Sequence, residues 1–353
     1  MSSSNSPSYQ TLRSSSIDLT DEETGLEVAG TPARRETSEE EFLPLYKLWT
    51  GHNSFFCGGR VMLGHNPRLL PVTGFLICAP AVFDCVQVLP SVKALAGFDG
   101  CLWFDAGFLA VGVAVLVSLA FAAFTEPGII PPSKFTYRIK LRSPTRRRTG
   151  VYNQEASRHS NAPAPPQRLT YCVRCQIDRP ERARHCRYCN NCVDRFDHHC
   201  AWIGNDVGAR NYRAFLWFVT LLAVFSFLSS AACAADLVLK CTAQGGGKKK
   251  GAAWWSVLAE NVPTCACLLL SATAFVMVGF LSAYHLCYLM CFGETTNENL
   301  RNTYRRGTNG AVDNPYNRGY FGNCYSICCA PIPKSLLPIR MSDTIMDIKR
   351  SEE

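Results

Sequence analysis

Four stretches of this 353-residue chain, about 69–89, 104–124, 214–239 and 264–290, are apolar for long enough to cross a bilayer as helices. A hydrocarbon core of ~30 Å takes roughly 20 helical residues. Inside it, backbone N–H and C=O groups must be satisfied within the protein, which leaves helices or closed barrels. Four such blocks therefore point to an all-α membrane protein with four transmembrane helices. The overall hydrophobic fraction of 47% conceals this, because the segments between the blocks are polar, basic or cysteine-rich. The first block contains Asp84 and the fourth His285. Both are read as packed at a helix interface, or for Asp84 at the lumenal end, rather than as chemistry. An intramembrane ionisable group is still a site to test.

An even number of spans puts both termini on one side. The long loop 125–213 is strongly basic and includes Arg146, Arg147 and Arg148, whereas 90–103 carries Lys93 against Asp99. Positive charge stays on the cytosolic side, so this loop and both termini are expected there. Lys248, Lys249 and Lys250 in the loop 240–263 run against that orientation, and the longer basic loop outweighs them. A net charge of +8 beside apolar spans suits anionic headgroups or an anionic cosubstrate, and no nucleic acid is expected as a partner.

The expected organisation begins with a disordered Ser/Thr/Glu-rich tail at 1–42 and a membrane-proximal cytosolic segment at 43–68. Helices 1 and 2 lie within 69–124, a basic linker at 125–168, and a cysteine-rich domain at 169–213. Helices 3 and 4 lie within 214–290, and a cytosolic tail fills 291–353. Met1-Ser2 lacks the glycine that myristoylation needs, and Ser351-Glu352-Glu353 is no prenylation box.

The chain has nineteen cysteines, six of them between 172 and 200 and interleaved with histidine. The hydrophilic start of the chain is no secretory signal, so this reads as metal binding in a reducing compartment rather than a disulfide framework. Structural zinc takes four tetrahedral ligands from thiolate, imidazole and, less often, carboxylate. Cys172/Cys175, Cys186/Cys189 and Cys189/Cys192 are Cys-x-x-Cys knuckles, whose tight turns aim two sulfurs at one ion. The segment has few large apolar residues, so metal must supply its folding energy. Cys172, Cys175, His185 and Cys192 make one set. Cys186, Cys189 and His199 begin a second, and either Cys200 or Asp206 could close it. The first choice describes a zinc-stabilised membrane scaffold of little or no activity; the second leaves a reactive thiol. Asp197, His198 and Cys200 then supply a carboxylate, an imidazole and a nucleophile within four residues.

Asp197-His198-His199-Cys200, the preceding cysteine ladder and Arg179-Pro180-x-Arg182 resemble the DHHC protein acyltransferases, or palmitoyltransferases. Trp202, Asn205, Gly208, Asn211 and Phe215 follow at the family's spacing. Glu126-Pro127-Gly128 stands where the family has Asp-Pro-Gly, Thr295-Thr296-Asn297-Glu298 looks like its TTxE motif, and Asn314 to Cys324 is similar to its C-terminal element. Phe55-Phe56-Cys57-Gly58-Gly59-Arg60 resembles the subgroup that palmitoylates Ras-like proteins with a small accessory subunit.

The resemblance implies a cytosolic zinc-binding domain between helices 2 and 3. Its first zinc site falls on Cys172, Cys175, His185 and Cys192, its second on Cys186, Cys189, His199 and position 206. The family has cysteine at that last position, and this chain has Asp206. The resemblance also implies transfer of a palmitoyl group from palmitoyl-CoA to cysteines of cytosolic or membrane-associated proteins through Cys200, with His198 and Asp197 as its base pair. A Golgi or endoplasmic reticulum membrane is the family expectation. Arg179, Arg182 and Arg184 are candidates for the coenzyme A phosphates, the alternative being contact with headgroups or solvent. Trp202 is placed against the first acyl carbons, or else as an interfacial anchor. The small residues of the third span, Ser226, Ser229 and Ser230 beside Phe225 and Phe227, are read as room for an acyl chain. Cys324, Cys328 and Cys329 could be acylated in turn.

Overall fold

The computed structural model describes residues 42–59, 61–98, 102–134, 169–244, 250–304, 314–337 and 344–346. The expected tail up to 41, Arg60, most of the linker with its Arg146–Arg148 run, and Lys248 and Lys249 lie outside the described residues.

Four helices are long and apolar enough to span a membrane: Leu69–Ala96, Leu102–Phe124, Tyr212–Gln244 and Val262–Phe292. They make this a multi-pass membrane protein. Each apolar stretch anticipated from sequence lies inside one of them, and the helices run further. Span one continues past Leu89 to Ala96 because its polar residues find partners at that end. Lys93 pairs with Asp105 at the start of span two. Ser91 donates to Asp236 at 2.5 Å, and Lys240 bridges Asp236 and Asn261 at 2.7 and 2.8 Å. Part of the expected glycine-rich turn before span four is also helical, over Lys250–Glu260.

The main core joins spans one, two and three through Ile77, Leu89, Phe108, Val115, Leu119, Phe215, Phe218 and Phe225. Gly112 lets the Phe225 ring lie 3.4 Å from where a Cβ would stand, so spans two and three approach closely. The room expected along span three is largely filled. Phe225 and Ser226 are buried, Ser229 hydrogen-bonds Asp84, and Ser230 faces outward.

Between spans two and three the cysteine-rich segment folds into short antiparallel ladders. Thr170–Cys172 pairs with Ile177–Arg179, and Arg184–Cys186 pairs with Asn191–Val193, which in turn pairs with Ile129–Ile130. His198–Cys200 pairs with Asn205–Val207. The turns between them need left-handed backbone at Gln176 (φ 54°) and Asn190 (φ 52°). Apart from Ile130, Ile177 and Ala183, the cluster at the first cysteine set consists of cysteines. Around this first set, so small an apolar core cannot by itself offset the entropy of ordering the chain.

Asparagines bolt this segment to the bundle, at the end where spans one and three begin and spans two and four finish. Asn205 Nδ2 donates to Ala123 O at 2.8 Å, and Asn211 Nδ2 donates to Ala122 O at 3.0 Å. Both carbonyls belong to the last turn of span two, which has no helical partner for them. Thr73 Oγ1, in the second turn of span one, donates to Trp202 O at 2.7 Å. Gly204 adopts φ +64°, and a Cβ there would stand 2.7 Å from Pro67, so this turn admits only glycine.

Candidate active site and metal sites

Alternation along a strand sorts the ligand-rich residues. His185 and Cys186 are adjacent, so their side chains leave opposite faces. His185 stands opposite Cys192 across the ladder, and these two join Cys172 and Cys175. Cys186 turns the other way, to Cys189, His199 and Asp206. In each set the four ligand atoms lie within 4.8 Å of one another. Sγ of Cys172, Cys175 and Cys192 are 3.8, 3.3 and 3.9 Å from His185 Nδ1. Sγ of Cys186 and Cys189 are 4.0 and 3.6 Å from His199 Nδ1. Metal bonds of ~2.0–2.3 Å give a tetrahedron with edges of roughly 3.3–3.8 Å. Both sets fit a metal ion, and the donors are those zinc prefers. Asp206 Oδ1 lies 2.7 Å from His199 Nδ1 and 3.0 Å from Cys186 Sγ, while its Oδ2 is buried with no partner among the described residues. An orphaned buried carboxylate oxygen beside two thiols and an imidazole suits a fourth ligand.

The same alternation separates His199 from its neighbours. His199 stands opposite Asp206, and Cys200 opposite Asn205. Directly opposed residues share a face. His199 and Asp206 therefore face the metal set, while His198 and Cys200 face the other way. Cys200 is half-buried and packs against the core of spans one to three.

His198 Nδ1 is 2.7 Å from Asp197 Oδ2, which leaves its other ring nitrogen for Cys200. Asp197 is buried, and its Oδ1 accepts the Thr296 backbone N–H at 2.7 Å. Burial alone would raise the Asp197 carboxyl, but the hydrogen bond and charge of His198 hold it below its ordinary value. Burial opposes the charge on His198, yet Asp197 and Cys200 lift it to about 10. Burial would also raise the Cys200 thiol, but His198 and the backbone at Ile203 and Trp202 bring it down. The electrostatics thus favour a thiolate–imidazolium pair.

The Thr295-Thr296-Asn297-Glu298 segment opens a short helix, Thr296–Leu300, with a capping box. Glu298 N donates to Thr295 Oγ1 at 3.2 Å, and Thr295 N donates to Glu298 Oε2 at 2.8 Å. Glu298 in turn receives Arg182 Nε at 2.7 Å and Nη2 at 2.5 Å. Arg182 also donates to Gly293 O at 3.0 Å and stacks on the Tyr316 ring. This corrects one expectation. Arg182 is a buried strut between the cysteine-rich segment and the end of span four, because Glu298 binds two of its nitrogens, and it is no free cation for a phosphate. Arg179 and Arg184 brace the same turn through Ala183 O and, for Arg184, Glu181 O. Trp202 is half-exposed at the bundle rim, held by its backbone carbonyl.

A family model described as DHHC palmitoyltransferase matches residues 166–303, which include both ligand sets, Asp197, His198 and Cys200. The chain is 33% identical over 305 residues to Protein S-acyltransferase 8 of Arabidopsis thaliana, covering 82% of this chain and 70% of the relative. It is 30% identical over 324 residues to the Homo sapiens palmitoyltransferase ZDHHC18, covering 85% and 76%. The chain belongs to the DHHC palmitoyltransferase family. It is an enzyme, a protein S-acyltransferase.

Two features of this acyltransferase's site escaped the sequence. Tyr212 Oη and His285 Nδ1 are 2.8 Å apart, and the His285 ring packs on Phe215, which packs on His198. No periodicity in span four marks His285 as a neighbour of His198. Arg195 has left-handed backbone (φ 45°) and forms no hydrogen bond or ion pair with any described residue. Its position two residues before Asp197 was the available signal.

Proposed function

We propose that this enzyme transfers a long-chain acyl group, palmitoyl foremost, from acyl-coenzyme A to cysteines of cytosolic or membrane-associated proteins, through a thioester on Cys200. The observation that carries it is the strand register. It puts Cys200 beside His198 and against the apolar core, with Asp206 rather than Cys200 facing the second metal set. The Cys200 thiolate attacks the thioester carbonyl, and the carbon–sulfur bond to coenzyme A breaks. His198 gives its proton to the leaving thiolate. A substrate cysteine then gives its proton to neutral His198 and attacks the acyl-enzyme, and Cys200 leaves as thiolate. Asp197 keeps the imidazole oriented through both steps, and the Thr296 N–H fixes Asp197 in turn. Purified protein incubated with an alkynyl acyl-coenzyme A should form a hydroxylamine-labile adduct. Its absence from folded protein would sink the reading.

Asp197→Asn removes the charge that lifts His198, so Cys200 becomes less ionised. Single-turnover adduct formation is expected to slow by about 10²–10⁴-fold, read by rapid quench. An unchanged rate would leave Asp197 without a chemical role.

Arg179, Arg184 and Arg195 are the cations proposed for the coenzyme A phosphates. Guanidinium groups suit bidentate phosphate contacts. The acyl chain extends from Cys200 past Trp202 into the bundle.

The two cysteine sets are proposed as zinc sites, which would tie the ladders to one another and hold the His198–Cys200 strand in place. A carboxylate ligand makes the second set the more labile. Asp206→Cys is therefore expected to slow zinc loss to a chelator, followed with a colorimetric zinc indicator. Equal loss rates would mean Asp206 is no ligand.

The Phe55 to Gly59 hairpin supports placing the chain with the subgroup that acylates Ras-like proteins alongside a small accessory subunit. Golgi or endoplasmic reticulum membranes, with cytosolic termini, complete the reading.

A further inference from the structure

We propose that Asp84, Cys233 and Cys267 form a metal site inside the spanning bundle, for a thiophilic d¹⁰ cation, zinc(II) or copper(I). The residues come from spans one, three and four. Sγ of Cys233 lies 3.4 Å from Asp84 Oδ1, and Sγ of Cys267 lies 3.6 Å from the same oxygen. The three ligand atoms all lie within 4.8 Å of one another. Ser229 Oγ donates to Asp84 Oδ2 at 2.5 Å and sits 4.0 Å from Cys267 Sγ, so it holds the carboxyl group beside the thiols. Asp84 and Cys233 are 0% exposed, Ser229 1% and Cys267 7%.

These separations match those within the two cysteine-rich sets, and they suit tetrahedral bonds of ~2.0–2.3 Å to sulfur and oxygen. A carboxyl group in a membrane bundle needs a partner to offset its desolvation. Asp84 forms no ion pair with a described cation, and its hydrogen-bond partners are one hydroxyl and two thiols. The helix is also adapted at this point. Asp84 opens a π-turn, Asp84–Val88, in an otherwise α-helical span, and such turns concentrate at functional positions. Val88, Phe83, Val92, Ala232 and Leu268 surround the thiols with an apolar shell.

Two thiolates select zinc or copper(I) over magnesium or calcium. Binding releases both thiol protons. For zinc, the two thiolates then cancel the dication, and Asp84 adds an oxygen donor whose second oxygen Ser229 holds. Cys233 is about one helical turn from Asp236, which joins the polar network of Ser91, Lys240 and Asn261 at the bundle end remote from Cys200. The site would clamp spans one, three and four together at that end.

The test is metal content of the purified full-length protein by inductively coupled plasma mass spectrometry. Wild type should hold one more equivalent than the Cys233→Ser/Cys267→Ser variant, and the element gained tells zinc from copper. Asp84→Asn should release that equivalent at about tenfold lower chelator concentration, which keeps the test decisive if the double variant fails to fold. Equal metal content and equal chelator profiles would overturn the proposal, as would a Cys233–Cys267 disulfide in the native protein. The Cys200 adduct is read separately and does not depend on this outcome.

Discussion

Cys200→Ser is expected to abolish the hydroxylamine-labile adduct and to lower acyl transfer on the order of 10⁴-fold or more, leaving only what binding alone supplies. A serine hydroxyl is far less acidic than a thiol, so the charge on His198 that lowers the Cys200 thiol cannot ionise its replacement. Any acyl group a serine did capture would be an oxyester, which neutral hydroxylamine does not cleave. Two readouts on the same protein separate chemistry from folding. Metal content and thermal midpoint should match wild type, because Cys200 belongs to neither four-residue set and is half-buried rather than structural. If the serine protein instead loses one metal equivalent, Cys200 is a ligand and the proposed relay has no nucleophile.

The outcome rests on a feature half legible in the sequence. Counting ligands left position 200 and position 206 as rival members of the second set, and composition could not choose between them. Register sorts the two: three residues of strand either side of a four-residue turn place Asp206 across from His199 and send Cys200 to the other face. Register depends on turn geometry and on which face is buried, and in this hairpin the turn is fixed by Gly204 against Pro67, just before span one. That contact is between segments far apart in the chain. Local reasoning therefore had no access to it. The spans were readable because the bilayer imposes length and apolarity on each helix separately. Their ends were not, since the polar residues there find partners on other spans: Lys93 of span one pairs with Asp105 of span two, and Ser91 of span one with Asp236 of span three. Arg182 shows the limit most directly. From sequence it was one arginine among several beside a zinc-folded turn, and its counter-ion lies 116 residues away.

Glu298→Ala is expected to destabilise the protein by about 3–5 kcal/mol, because it leaves the Arg182 guanidinium buried without a counter-ion. The Arg182 side chain is 10% exposed and that of Glu298 3%, so water cannot replace the lost partner. The pair also perturbs both groups as a tight ion pair should. Burial would raise the Glu298 carboxyl, but Arg182 holds it below its ordinary value; burial would lower Arg182, but Glu298 raises it. A loss of this size should lower the thermal midpoint on the order of 10 °C, measurable by tryptophan fluorescence in detergent. Arg182→Met combined with Glu298→Gln removes both charges and should recover most of that stability, since no unpaired ion remains. Activity is expected to separate the two roles of Glu298. Its carboxylate accepts the Thr295 N–H and so shapes the helix start that aims the Thr296 N–H at Asp197. The double variant should therefore be folded yet slow in adduct formation, because glutamine caps more weakly than a carboxylate at a helix N-terminus. If the double variant regains full activity along with stability, the segment acts only as a brace, and Asp197 is held by other means.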